Sequence, residues 1–271
     1  MIQARRLLLL PAAVLYLLTA FAVVEAARLS LFDSDIISET WVGLRNYVEI
    51  VRDPDIRARL VNSFVYAGLL IPGQAGVSLA IALVIYDIGK SWRAATMFAL
   101  YLPTFASGII ISTVWRWIFH PEAGLANWLL GTQIVWMGDR WLAIAGVCLV
   151  LTTCNLGTYT LVYMGALLQI DHAILDAARI DGASRVQTRL RVLLPMILPT
   201  VRLVTLLVMI AAFQVWETIY MMSPVQESTN LMYDMFHTAF RASRYGLGAA
   251  KAMVLVAIVA LLTAAKRRLE R

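Results

Sequence analysis

Two groups of residues have the types and spacing to do chemistry. The first is Gln214, Trp216 and Glu217, which lie inside a long apolar stretch. An ionisable group there is costly unless it faces a cavity or a partner. Asn155 and Tyr159, from the unusually polar middle of another apolar stretch, could join them. Amide and carboxylate groups suit hydroxyls, and an aromatic face suits apolar C–H groups. The plainer use of Gln214 and Glu217 is hydrogen bonding to neighbouring helices, a common role for polar residues in membranes.

The second group occupies 170–199, the longest strongly polar segment between two apolar ones, with Asp176-Ala177-Ala178, then Asp181-Gly182-Ala183, then Leu194-Pro195. Read as a helix, Ile174–Ile180 brings Ile174, Ala177, Ala178 and Asp181 together at spacings of three and four. The small alanines let another surface approach closely. Gly182 accepts the positive φ of a sharp turn, and Ala183–Leu193 resumes a helical pattern with Arg185 and Arg189 on a basic face. The expected shape is a helix, a glycine elbow and a second helix: a peg to be inserted into a cleft of another protein.

Other chemistries find little support. Cys148 and Cys154 sit six apart in one apolar run, on helix faces too distant to bond. The three histidines fall in three separate segments, so no metal site is expected. Gly89-Lys90-Ser91 resembles the end of a phosphate loop, but that loop needs a glycine five residues earlier, and position 84 is Val84. An enzyme inside the spans would need convergent catalytic groups, and Glu217 stands alone. A secondary transporter would more typically show an internal repeat with paired broken helices and would have no use for a peg.

The elements that must position these residues belong in lipid. Of 271 residues, 61% are hydrophobic and 15% charged, and mean hydropathy is +0.75, well outside the range of soluble domains. Six spans are expected, at about 7–27, 61–86, 94–119, 141–168, 199–222 and 248–265, each near the length that crosses a hydrocarbon core of roughly 30 Å. The net charge of +6 comes from arginines and lysines at span ends, without the interleaved basic-aromatic surface of a nucleic-acid binder. Six spans put both termini and the 170–198 loop on one side. That side holds twelve basic residues, Arg5, Arg6 and Arg271 among them, against eight on the other, and is therefore read as cytoplasmic. A short amphipathic helix is expected around Asn46–Val51. Met232, Phe236 and Phe240, recurring every four residues, predict an apolar stripe on a helix along the membrane interface. Arg116 reads as a snorkelling anchor near the outer end of the third span.

The stretch DAARIDGASRVQTRLRVLLPMILP (176–199) resembles the cytoplasmic EAA loop of binding-protein-dependent ABC importer permeases. Ala177, Ala178, Asp181, Gly182, Ala183, Leu194 and Pro195 match at the family spacing. Asp176 stands where the family usually has Glu, keeping the charge and shortening its reach. WVGLRNYVEIVRDP and ALYLPTFASGIIISTVWRWIFHPEAGLANWLL are similar to the outer loops and third span of the maltose/glycerol-3-phosphate branch. After the fifth span, where relatives often carry Gly-Gly-Pro, this chain has Ser223-Pro224. The resemblance implies an all-α membrane protein of the type I importer fold: a single permease domain over 1–271 with a coupling helix. It implies Asp176, Ala177, Ala178, Arg179, Asp181, Gly182, Ala183 and Pro195 as the ATPase-coupling set. It also implies a second homologous permease, two cytoplasmic ATPase subunits that hold ATP and Mg, an external solute-binding protein, and a sugar or polyol as cargo, with a glycerophosphodiester or an amino compound as the alternative, in a bacterial or archaeal cytoplasmic membrane. No cofactor is expected in this chain itself, and no nucleic acid among its partners.

Overall fold

The computed structural model describes residues 2–222 and 224–269, without the side chains of 2–10, 12 and 269; Ser223, Arg271 and the side chains of Arg5 and Arg6, used above, lie outside it. In chain order the helices are α1 (Ile2–Leu29), α2 (Arg45–Arg52), α3 (Pro54–Leu70), α4 (Val77–Ile85), α5 (Lys90–Tyr101), α6 (Gly108–Ile118), α7 (Leu125–Leu130), α8 (Arg140–Leu167), α9 (His172–Ile180), α10 (Arg185–Gln187), α11 (Leu194–Met196), α12 (Leu198–Phe213), α13 (Glu217–Met222), α14 (Leu231–Phe236) and α15 (Tyr245–Leu269). Strands β1 (Phe32–Ser34) and β2 (Glu39–Trp41) pair antiparallel in the loop after α1. The contacts divide the chain into two compact units, Met1–Arg59 with Leu231–Arg271, and Leu60–Asn230.

Among the described residues, three continuous helical stretches are long and apolar enough to cross a membrane: Pro54–Ile85, Arg140–Leu167 and Tyr245–Arg268. Two bent helix pairs are long and apolar enough to cross if each counts as one span, Lys90–Phe105 with Gly108–Ile118 at 96° and Arg185–Met196 with Leu198–Phe213 at 71°. The expected first span falls within the 28 residues of α1. The third span expected over 94–119 corresponds to the first of these bent pairs. Pro103 removes a backbone donor, the chain tightens into a 3-10 turn over Leu102–Phe105, and Ala106 and Ser107 are extended before α6 starts. The fifth span is interrupted too, between Phe213 and Glu217. In the second span, Pro72 and Gly73 widen one turn into a π-helical segment without ending the helix.

In the 60–230 unit, α8 is the central post, touching α4, α5, α6, α12 and α13. Its Ile144, Val147, Tyr163, Met164 and Leu167 are at most 1% exposed. Gly157 lets α8 approach the broken span, because a Cβ there would lie 2.4 Å from the Leu100 carbonyl. In the other unit, α15 packs on α1, α2, β1 and α14, and Gly246 is required by the passage of the Phe32 carbonyl. The amphipathic helix expected at 46–51 is α2, whose Asn46 amide holds the carbonyls of Ser30 and Phe32 at 2.9 and 2.8 Å. The stripe of Met232, Phe236 and Phe240 is not the buried face of its segment: Phe240 is 63% exposed, while Leu231, Asp234, Thr238 and Ala239 are buried. Asp234 turns inward because its carboxylate meets two cations. The Arg59 guanidinium lies 2.8 Å from Oδ1 and the Lys251 ammonium 2.6 Å from Oδ2. The Lys251 contact is ionic rather than a well-angled hydrogen bond, and its N–H donates to Thr238 Oγ1 at 2.8 Å.

Candidate functional site

The break between Phe105 and Gly108 and the one between Phe213 and Glu217 open onto one cavity of about 340 Å3. Pro103, Thr104, Ala106 and Gly108 line it from the first break, Gln214, Val215, Trp216 and Glu217 from the second, and Cys154 and Asn155 from the middle of α8. Irregular backbone at membrane depth is tolerated where it is buried in protein or lines a cavity, and both breaks line the cavity here. At the second break the Gln214 N–H donates to the Ala211 carbonyl at 3.0 Å and the Tyr220 N–H to the Trp216 carbonyl at 2.8 Å. The Val215 carbonyl, left without a helical donor, accepts from the buried Asn230 amide at 2.7 Å. Ser112 Oγ and Thr218 Oγ1, buried and 3.2 Å apart, pin α6 to α13. The rim is thus held by polar groups whose bonding is already used.

Gln214 and Glu217 are different. Both side chains are exposed to the cavity, and neither makes a hydrogen bond or ion pair within the described residues. A Cβ at Gly108 would lie 3.1 Å from Glu217 Oε2, so the absence of a side chain there leaves the carboxylate its room. Four of the five residues expected to form this site, Gln214, Trp216, Glu217 and Asn155, do converge. Asn155 spends one donor on the Leu151 carbonyl of its own helix at 2.8 Å. Tyr159 does not join them: one turn further along α8, it is buried and lies outside the lining. Sequence reasoning missed Thr104, Gly108, Ser112 and Thr218, whose relevance depends on where the third span breaks. A cavity of this size is at the small end of those that hold small molecules. Its lining offers a carboxylate, amides, a hydroxyl and an indole, and contains no Lys, Arg or His.

The polar segment after α8 is a helix, an elbow and a second helix, as expected. Asp171 caps α9, accepting from the Ala173 N–H at 2.9 Å. Gly182, at φ +77°, ends the helix through two closing bonds of 3.0 Å each, from its own N–H to the Arg179 carbonyl and from the Ala183 N–H to the Ala178 carbonyl. This is a Schellman cap, for which glycine is favoured. Ser184 and Gln187 then form a reciprocal capping box that starts α10. Leu175, 5% exposed, anchors the inner side of α9, leaving Asp176, Ala177, Asp181 and Gly182 at the surface. Asp176 accepts from Arg179 at 2.9 Å, so its charge is already engaged on the same helix. Pro195 is exposed and Ala178 and Ala183 half-buried. Arg189, expected only on a basic face, reaches back 102 positions to Asp87 in the α4–α5 turn, with Nη2 to Oδ2 at 2.6 Å, a pairing not foreseen from sequence. That ion pair, with each side chain about a quarter to a third exposed, fastens the second helix of the elbow to the membrane-spanning body.

Comparison with known proteins converges on one family. The family described as binding-protein-dependent transport system inner membrane component matches residues 54–271. Among curated proteins, the chain is 29% identical over 95% of its length to a probable ABC transporter permease, YurN, of Bacillus subtilis, covering 92% of that protein. It is 26% identical over 98% of its length to the sulfoquinovosyl glycerol transport system permease SmoG of Agrobacterium fabrum, covering 89% of it. Among solved structures, a chain of a bacterial ABC transporter involved in import of the acidic polysaccharide alginate superposes with a TM-score of 0.81 at 20% identity, over 97% of this chain and 95% of that one. A chain from the alginate transporter in complex with its alginate pentasaccharide-bound periplasmic protein gives 0.83 at 18% identity, over 97% and 92%.

Proposed function

Because the chain belongs to the binding-protein-dependent transport system inner membrane components, it is the permease subunit of an ABC importer, and we propose that it forms half of a translocation path for an uncharged sugar or polyol. The observation that carries this reading is the cavity with exposed Gln214 and Glu217, half-buried Trp216 and no basic side chain in its lining. Its carboxylate and amide can accept and donate to hydroxyls, the indole offers a face to ring C–H groups, and an acidic solute would meet Glu217 unfavourably. Several curated relatives are named for sugar uptake, including a glucose import permease of Saccharolobus solfataricus and a multiple sugar-binding transport permease of Streptococcus mutans. That supports sugars as the class. A cationic amino compound is the second reading, favoured by the same lone carboxylate.

In this proposal a homologous permease supplies the other half of the path, an extracytoplasmic binding protein delivers the solute, and two ATPase subunits hydrolyse ATP with Mg. The α9–Gly182–α10 element is the coupling peg. Asp176, Ala177, Ala178, Arg179, Asp181, Gly182, Ala183 and Pro195 form or shape its docking surface, on the cytoplasmic side of a bacterial or archaeal inner membrane with both termini there. The Arg189–Asp87 pair would pass motion of the peg to the α4–α5 turn instead of letting the loop flex.

The test is ATP-dependent uptake in proteoliposomes, with the cognate binding protein first matched to its solute by calorimetry against a carbohydrate library. Gln214→Leu and Glu217→Leu are each expected to abolish uptake while leaving subunit assembly and ATPase association intact. Unchanged uptake kinetics in both variants would remove the cavity from the path.

A further inference from the structure

A second cavity, of about 510 Å3, lies where several membrane-spanning stretches end. Its lining reaches Leu168, thirteen residues beyond Asn155 on or just past α8, so about 20 Å further along that axis at the helical rise. The floor is apolar: Tyr86 and Leu168 at the ends of α4 and α8, with Leu175 and Leu193, which are 5% and 1% exposed. The walls are basic, with Arg93, Arg179, Arg185 and Arg189, and Asp87 is the one carboxylate in the lining.

Charge accounting within the described residues leaves an excess. Asp87 is taken by Arg189, and Asp176, outside the lining, is taken by Arg179. Arg93 donates one N–H to the Tyr86 carbonyl at 3.1 Å, which holds the side chain in place without neutralising it. Arg185, exposed on the short α10, makes no ion pair. Two guanidinium charges therefore remain uncompensated over an apolar floor. Next to Arg93, Trp92 is 76% exposed, and tryptophan is enriched where a span meets the headgroup layer. A soluble anion would have no use for the apolar floor, whereas an amphiphile uses both parts. Basic pockets between spans at this level are suited to lipid headgroups.

We propose that this cavity binds the phosphate of an anionic phospholipid, held by Arg93 and Arg185, with the glycerol and upper acyl carbons against Leu168, Leu175 and Leu193. Guanidinium groups favour phosphate oxygens by their fork of donors. The site sits behind the coupling peg, between Arg179 on one of its helices and Arg189 on the other, so an occupied site would brace the elbow against the α4–α5 turn. The inference requires that these span ends lie at a membrane surface. It does not depend on which solute is carried or on which side the peg faces.

The experiment is native mass spectrometry of the purified complete transporter in micelles containing phosphatidylglycerol, phosphatidylcholine or added inorganic phosphate. The wild type is expected to retain one phosphatidylglycerol per copy of this chain, to leave phosphatidylcholine unbound, and to keep its lipid in excess inorganic phosphate. Losing two basic contacts predicts that Arg93→Gln with Arg185→Gln weakens retention roughly thirty-fold, and that the corresponding double Lys variant restores most of it. Arg185→Gln alone, at an exposed side chain without an ion pair, supplies the same test with less risk to folding and is expected to give a smaller loss of the same sign. Equal retention by wild type and the Gln variants overturns the proposal, as does equal retention of phosphatidylcholine. Displacement by inorganic phosphate at matched concentration overturns the lipid as source. Because lipid retention is read without transport, its failure leaves the uptake test of Gln214 and Glu217 untouched, and the reverse also holds.

Discussion

Asp234 and Glu217 are both carboxylates on short helices within an apolar chain, yet their surroundings differ completely. Asp234, 7% exposed, is clasped by Lys251 and Arg59, with Lys251 itself only 4% exposed. Glu217 is open to its cavity and bonded to nothing within the described residues. The first has used its capacity on its own unit, so removing it should be read as damage to the fold. The second has kept its capacity, so removing it should be read as damage to whatever enters the cavity. An acidic residue in a membrane-embedded chain is thus a functional candidate only once its partners have been counted.

Lys251→Met is the sharpest way to break this comparison. It leaves Asp234 buried with one cation fewer, which costs about 3–5 kcal/mol when a buried pair loses a partner. The measurement is the unfolding free energy of the solubilised protein. Adding Asp234→Leu should recover much of the loss, since an apolar replacement of both partners can be nearly neutral. Glu217→Leu, by contrast, should change stability by no more than about 0.5 kcal/mol, as for substitutions away from packed or bonded features. If Glu217→Leu unfolds the protein as readily as Lys251→Met, the distinction between engaged and available carboxylates fails.

Asn230→Leu tests the boundary between the two cases, because Asn230 bonds to Val215 of the cavity lining yet is itself wholly buried. It removes the donor to the Val215 carbonyl and leaves a buried acceptor unsatisfied, at about 1–3 kcal/mol. The expected outcome is a moderate loss of stability together with a loss of uptake, since the carbonyl it holds shapes the break that presents Gln214 and Glu217. Loss of uptake with unchanged stability would instead assign Asn230 to the solute-contacting group.

How much of this was legible in advance follows from the range of each interaction. The peg was readable because its determinants are local: Ala177 and Ala178 for close approach, Gly182 for the turn, and Pro195 and Pro199 for the entry into the next span, all within 30 positions. The convergence of Gln214, Glu217 and Asn155 was readable from cost alone. The broken third span was not, because Pro103 is tolerated in a straight or a bent helix alike, and the packing around it is long-range: Leu100 lies against Gly157 of α8, more than fifty positions away. The stripe of Met232, Phe236 and Phe240 marks the more exposed side of its segment, whereas the inward side is set by Asp234 and its long-range partner Lys251, which apolar periodicity does not report. Lys251 itself could have been found: it lies within the apolar run of the sixth expected span, and the cost rule applied to Glu217 applies to it equally.

Glu49 and Arg244 supply the weakest version of the engaged carboxylate, and so the smallest effect. The pair is bidentate, at 2.6 and 2.8 Å, but each side chain is more than 40% exposed. The Arg244 hydrogen bonds hold the Glu49 carboxyl below its ordinary value of 4.5, against a smaller opposing rise from partial burial. A carboxyl lowered in the folded state contributes stability that is present above pH 4.5 and is lost as pH falls through the lower, folded value. Solvent screening limits that contribution to about 0–1 kcal/mol. Glu49→Gln should therefore lower stability slightly at pH 7, and the difference from wild type should shrink once the pH is well below 4.5 and with added salt. A difference that instead persisted at low pH and high salt would mean that Glu49 holds its unit together through packing, and would move it from the exposed pairs to the class of Asp234.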